Sequence, residues 1–311
     1  ALSLSVTFSL LGGCGVSQPP IGGPAPNRAI AQRSVPSASS DDLLYAVSHL
    51  GRGSAILMLT YPDGKRVGAL RRDIGLYLCS DESNGNVFFP SNTRIFEYAH
   101  GGTKPIATLS APSSDYDFEG CAVDPTTGNL AVTTVNLSAV LVYPAGQDTP
   151  ALYYGSKGSS FTYCGYDSEG NLFVDGSLNG ALLLDELPKG GSSLEQITLS
   201  LPDTIPGPVQ WDGTEVTIEN PEPPIIYRIQ VSGSVGTVVG TTKLRNQTKT
   251  KRVPYSRTWI EGDTVITSTG RGNKRIGLWR YPAGGKPLRV LKNIVNGQKS
   301  GFWAFTISHG G

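Results

Sequence analysis

The side chains best able to do chemistry in this chain recur at a nearly fixed step. Cys79, Cys121 and Cys164 stand 42 and 43 residues apart. Recurrent thiols could bind a soft metal or pair oxidatively. No CxxC pair or His-rich cluster accompanies them, and His49, His100 and His309 are isolated. The expectation is a small apolar residue at a packing position, as buried free cysteine commonly is. A disulfide between neighbours stays open in an oxidising compartment, and would leave one cysteine over. Asp81, Asp124, Asp167 and Asp212 recur with the same step, each just ahead of a turn glycine at 85, 128, 170 or 213. Short acidic side chains at such places hydrogen-bond the following backbone, so these read as turn residues rather than a carboxylate ring. No Gly-x-Ser-x-Gly elbow supports a Ser-His-Asp hydrolase, and no glycine loop ahead of a helix offers a phosphate cradle.

Charge is more informative than any of these motifs. The 311 residues carry a net charge of +1. Residues 1–242 hold 12 Lys/Arg and 23 Asp/Glu, whereas residues 243–311 hold 14 and 2. The densest basic run is 243–257, with Lys249, Lys251, Arg252 and Arg257. An acidic run, Ser113–Glu119, contains Asp115, Asp117 and Glu119. An anionic partner such as an acidic glycan or protein fits the basic run. Nucleic acid fits poorly, because only Tyr255 and Trp259 interleave with the positive charges.

The elements that must position these groups are strands. The chain has 39 glycines and 22 prolines, 38% hydrophobic residues and no convincing amphipathic helix. Turn glycines at 85, 128, 170, 213 and 262 are separated by 43, 42, 43 and 49 residues, each between β-rich runs. A second turn follows in each unit, as in Tyr61-Pro62-Asp63-Gly64, Tyr143-Pro144-Ala145-Gly146 and Tyr281-Pro282-Ala283-Gly284. Four short strands per unit of about 43 residues describe a propeller blade. Six units fit between 42 and 309. The first lacks its innermost strand, and Phe302–Ser308 supplies one, so the two ends of the chain are expected to close the ring within one blade and remove an open edge. The fold class is thus all-β, a six-bladed β-propeller of four-stranded blades. Innermost strands begin near Tyr77, Glu119, Thr162, Gly207, Ser256 and Trp303. The connections holding 113–119 and 243–257 lie three blades apart on one face, which sets an acidic rim opposite a basic one. Tyr77, Tyr163 and Trp303 could plug the channel between them.

The pattern Gly120-Cys121-Ala-Val-Asp124 followed by Gly128-Asn129-Leu-Ala-Val, and then Val140-Leu-Val-Tyr143, resembles NHL-type and gluconolactonase-like six-bladed propellers over residues 43–308. It is similar, too, to lipobox-bearing bacterial propellers of unknown role. The resemblance implies a fold more than an activity. Gluconolactonase-like propellers hold a divalent metal in the channel through Glu and Asn/Asp ligands. Here Glu119 alone matches such a place, and a hard cation needs several oxygens together.

The N-terminus completes the expected organisation. Residues 1–13, ALSLSVTFSLLGG, fit the apolar part of a signal peptide, and Leu11-Gly12-Gly13-Cys14 resembles a bacterial lipobox with Cys14 as the lipidated residue. Residues 14–41 are rich in Pro, Gly, Ser and Ala and read as a flexible tether; residues 42–309 are the propeller. The expected protein is exported and held at the cell envelope by a membrane lipid on Cys14. It is expected to be a monomer with no cofactor, binding an anionic ligand through its loop face and channel mouth. Candidate contacts are Tyr77, Asp115, Asp117, Glu119, Tyr163, Lys249, Lys251, Arg252, Arg257 and Trp303. The alternative is a lactonase-like hydrolase using a divalent metal at Glu119.

Overall fold

The computed structural model describes residues 41–49, 54–72, 77–201, 204–221, 223–245, 257–292, 294 and 301–310. Cys14, residues 1–40, and Lys249, Lys251 and Arg252 lie outside the described residues.

Six antiparallel sheets form the blades of one ring, each with strands A to D from the axis outward. Blade 1 is closed by the two ends of the propeller: Phe302–Ser308 is its strand A, followed by Leu43–His49, Ser54–Thr60 and Arg66–Arg72. The register runs from Leu43 opposite Ser308 to Ser48 opposite Phe302. Blade 2 comprises Cys79–Ser80, Val87–Ser91, Arg94–Tyr98 and Ala107–Ser110; blade 3 comprises Phe118–Val123, Leu130–Thr134, Ala139–Tyr143 and Ala151–Tyr154. Blade 4 is Ser159–Tyr166, Leu172–Leu178, Ala181–Leu187 and Glu195–Gln196. Blade 5 is Val209–Trp211, Val216–Pro221, Pro224–Ser232 and Val235–Lys243, with Thr198–Leu199 added in parallel outside it. Blade 6 is Trp259–Glu261, Thr264–Thr269, Arg275–Arg280 and Gly284–Leu291.

The turn aspartates do what their spacing predicted. Asp124 Oδ1 accepts from Thr126 N and Oγ1, both at 2.8 Å. Asp167 Oδ1 accepts the amides of Glu169, Gly170 and Asn171. Asp81 and Asp212 hold their turns in the same way. The glycine ending each turn has a positive φ, from 55° at Gly262 to 97° at Gly213, which side chains with a Cβ resist. These turns lie at one end of the channel. Strand A begins at the other.

The core is a set of apolar seams between adjacent blades. Tyr45, Val47 and Met58 of blade 1 meet Val87, Phe89 and Tyr98 of blade 2, and each further seam repeats that arrangement. Polar staples cross them. The tyrosines that open the second turn reach the preceding blade: Tyr143 Oη donates to Ser110 O at 2.9 Å, and Tyr281 Oη to Asp212 Oδ2 at 2.6 Å.

The cysteines correct the sequence reading. Cys79 and Cys121 are joined by a disulfide across the seam between blades 2 and 3, with Cα atoms 5.7 Å apart. They are not equivalent packing residues. Cys121 and Cys164 precede their turn aspartates by three residues, whereas Cys79 precedes Asp81 by two. That offset turns the Cys79 side chain toward blade 3, while Cys121 turns toward blade 2; both lie in the one seam. Cys164 is a buried free thiol in the apolar seam against which Ala122 packs. Burial first, and then the nearby Asp175, raise its pKa, so it is an unreactive protonated group.

Candidate functional site at the channel mouth

The strands A of all six blades line an axial cavity of about 50 Å³. Blades 2, 4 and 6 contribute Tyr77, Tyr163 and Arg257 to its lining. The three large groups meet. The Arg257 Cζ lies 3.7 Å from the centroid of the Tyr77 ring and 5.4 Å from that of Tyr163. Its Nε donates to Tyr163 Oη at 3.1 Å, and the two tyrosine rings are 5.8 Å apart at 58°. A guanidinium over an aromatic face is held by the ring quadrupole, more strongly once water is removed.

Arg257 is therefore not a solvated rim residue, as its place at the end of the basic run suggested. It is 6% exposed and narrows the channel together with the two tyrosines. Trp303 takes part through its backbone: its carbonyl accepts from Arg257 N at 3.1 Å. Burial lifts the Tyr163 phenol to about 12, against the opposing pull of the Arg257 charge.

Glu119 stands at the start of strand A in blade 3. Its Oε2 is buried and has no hydrogen-bond partner among the described residues. Desolvation raises the carboxyl to about 7, and the Arg257 charge works in the opposite sense. Asp115 and Asp117 are exposed on the loop ahead of it. Asn136 pins that loop, accepting from Asp117 N at 3.2 Å and donating to the Asp115 carbonyl. The acidic rim is thus a braced loop above one buried carboxyl.

Two acidic residues near the channel were not legible as such. Asp175 and Glu219 occupy the fourth place of strand B in blades 4 and 5, where blade 3 has Thr133. Asp175, fully buried, accepts from Tyr163 N at 3.2 Å and from Gly207 N of the next blade at 2.8 Å. Burial raises its pKa far above the ordinary carboxylate value. Glu219 Oε2 accepts from Thr258 N of blade 6 at 2.9 Å. Thr133 accepts from Gly120 N and donates to Thr162 O. These side chains tie the start of one inner strand to the next. The available signal was a polar residue at one fixed place, the fourth, of successive strands B.

A divalent metal does not fit this donor set. Asp175 and Glu219 direct oxygens at backbone amides, and the Arg257 charge acts on Glu119. Among the described residues no group of three His, Cys, Asp or Glu side chains is placed to hold a metal ion.

No protein-family model matches the chain, and no curated protein does. Solved structures do resemble it. A protein of unknown function from Bacteroides caccae aligns at 12% identity and a TM-score of 0.60, over 84% of this chain and 97% of that one. A chain of a nidogen/laminin complex gives 13% and 0.61, over 86% and 98%. A catalytically inactive virginiamycin B lyase from Staphylococcus aureus, with quinupristin, gives 17% and 0.53, over 88% and 94%. At these identities the likeness is one of fold, the β-propeller.

Proposed function

We propose that this chain is a non-catalytic binding module of the cell envelope, held by a lipid on Cys14 and a tether over residues 14–41. Its loop face and channel mouth would take an anionic ligand. The observation that carries this reading is the Tyr77–Arg257–Tyr163 cluster. It leaves about 50 Å³ on the axis, against roughly 300–1,000 Å³ in sites that enclose a small-molecule substrate. Recognition then falls to the mouth and its loops. By the blade count, the connection carrying Lys249, Lys251 and Arg252 would stand opposite the one carrying Asp115 and Asp117. The Cys79–Cys121 bond supports an oxidising compartment. Among the neighbours, one is a complex between proteins and another is a lyase with a small molecule, so the fold is compatible with either use.

The test is retention on immobilised heparin of the full chain and of a Lys249→Ala, Lys251→Ala, Arg252→Ala variant. Earlier elution of the variant supports the proposal, and equal retention overturns it. Metal content of the purified protein is the second readout: a stoichiometric divalent ion would favour the lactonase-like alternative.

A further inference from the structure

The outer flank of blades 6 and 1 carries a charge that the rest of the ring lacks. Residues 257–292 and 43–72 together hold 13 Lys/Arg and 3 Asp/Glu, whereas residues 77–199, blades 2 to 4, hold 4 and 14. Much of this excess is displayed outward. Lys65 and Arg66 at the start of strand D of blade 1, and Lys286, Arg289 and Lys292 on and just beyond strand D of blade 6, are all exposed. The two flanks are continuous. Arg289 Nη1 lies 3.0 Å from Asp63 Oδ1, and Leu291 covers Gly64 so closely that a Cβ there would stand 2.5 Å from it. Apolar side chains sit on the same two strands: Val67 is 54% exposed and Leu288 57%.

Charged outer strands can serve only to stop sheet edges from pairing. That need is common to every blade, yet strand D of blades 2, 3 and 4 contains no Lys or Arg. The basic flank is particular to the closure blade and its neighbour, whereas exposed apolar side chains also occur on other outer strands, as at Tyr154 and Val235. A second copy of the chain is a weaker complement to it. Asp81, Asp124 and Asp167 of the acidic half are bound to their own turns and Asp175 and Asp185 are buried, which leaves the exposed Glu82, Asp115, Asp117, Asp148, Glu169 and Glu195 spread over three blades.

We infer that this flank rests on an anionic phospholipid surface, with Lys65, Arg66, Lys286 and Lys292 against headgroup phosphates and Val67 and Leu288 entering the interface. Each Lys or Arg near an anionic leaflet contributes about 1 kcal/mol, and the attraction fades within a Debye length. The inference rests on the envelope reading above and adds an orientation to it. The ring stands edge-on, with the blade that begins at Leu43 toward the bilayer and both ends of the channel open to solvent.

The test uses the full chain with Cys14→Ser, so that no lipid contributes, sedimented with phosphatidylcholine vesicles with and without phosphatidylglycerol. Binding is expected only with phosphatidylglycerol. It should weaken about tenfold or more in 0.5 M salt, and similarly in a Lys65→Glu, Arg66→Glu, Lys286→Glu variant that keeps its circular dichroism spectrum. A Val67→Ser, Leu288→Ser variant should bind more weakly without changing the salt dependence. Equal sedimentation with both vesicle types, or an unaffected charge-reversed variant, overturns the inference. So does lipid-free self-association abolished by the same charge reversal, which would make the partner a second copy. Mass spectrometry of Cys14 in envelope fractions tests the anchor separately: an unmodified Cys14 sinks the anchor while leaving the vesicle result standing.

Discussion

Cys79 and Cys121 are bonded across a blade seam because they stand two and three residues ahead of their turn aspartates, and so face each other. The bond closes a segment of 42 residues that spans all of blade 2. In the chain-entropy description such a loop contributes about 4 kcal/mol, and measured bonds commonly give about 2–4 kcal/mol. Cys121→Ser should therefore lower the unfolding free energy of the oxidised protein by about 2–4 kcal/mol. Under reducing conditions the two proteins should become nearly equal. Urea titration with and without dithiothreitol measures both.

The same offset predicts a second staple. Ala122 stands two residues before Asp124, as Cys79 does before Asp81, and it packs against the seam that contains the free Cys164 of blade 4. Ala122→Cys should form a bond to Cys164 and stabilise the next seam. A thiol titration would then find no free cysteine in the propeller, and the melting temperature should rise. Retention of two free thiols after oxidation would show that the blade repeat does not carry the geometry.

Asp175 holds two amides from neighbouring blades at 3.2 and 2.8 Å. Asp175→Ala leaves both N–H groups buried without an acceptor, at a cost of about 3 kcal/mol or more. Asp175→Asn keeps one acceptor and should cost about half as much. Thermal unfolding of the three proteins in one buffer orders them, and equal losses for Asn and Ala would contradict the staple.

His309 follows the closing strand and lies 3.3 Å from Asp42 Oδ1 and 3.4 Å from Glu261 Oε1, joining blade 1 to blade 6. The second distance belongs to the ring's other nitrogen. The hydrogen bond to Glu261 is the main cause of a rise to about 9, opposed by burial and assisted by the charges of Glu261 and Asp42. A raised histidine stabilises the fold while it is protonated there and neutral in the unfolded chain. Its contribution is complete below about pH 6.5 and is lost as the pH climbs through about 9. We expect about 2 kcal/mol to disappear over that window, and His309→Gln to flatten it. Chemical denaturation at pH 6, 7.5 and 9.5 is the measurement.

Much of the architecture was legible because its causes are local. An aspartate ahead of a glycine writes its own turn, and a strand without a blade at each end of the propeller admits one closure. The features that were missed depend on neighbours across a seam. A shift of one residue in Cys79 cannot be weighed without knowing which way each inner strand faces. Asp175 and Glu219 read as ordinary polar strand residues until the next blade's amides are in place. Arg257 was legible as a cation but not as a buried one, because its environment comes from Tyr77 and Tyr163, about 180 and 94 residues earlier in the chain.

Anion recognition at the channel mouth is best measured as the affinity of the full chain for an acidic polysaccharide across a salt series, by titration calorimetry. The wild type should bind with an affinity that falls as salt rises, and the Lys249→Ala, Lys251→Ala, Arg252→Ala variant should bind more weakly with a shallower salt dependence. Equal affinities and equal slopes for the two proteins would contradict it.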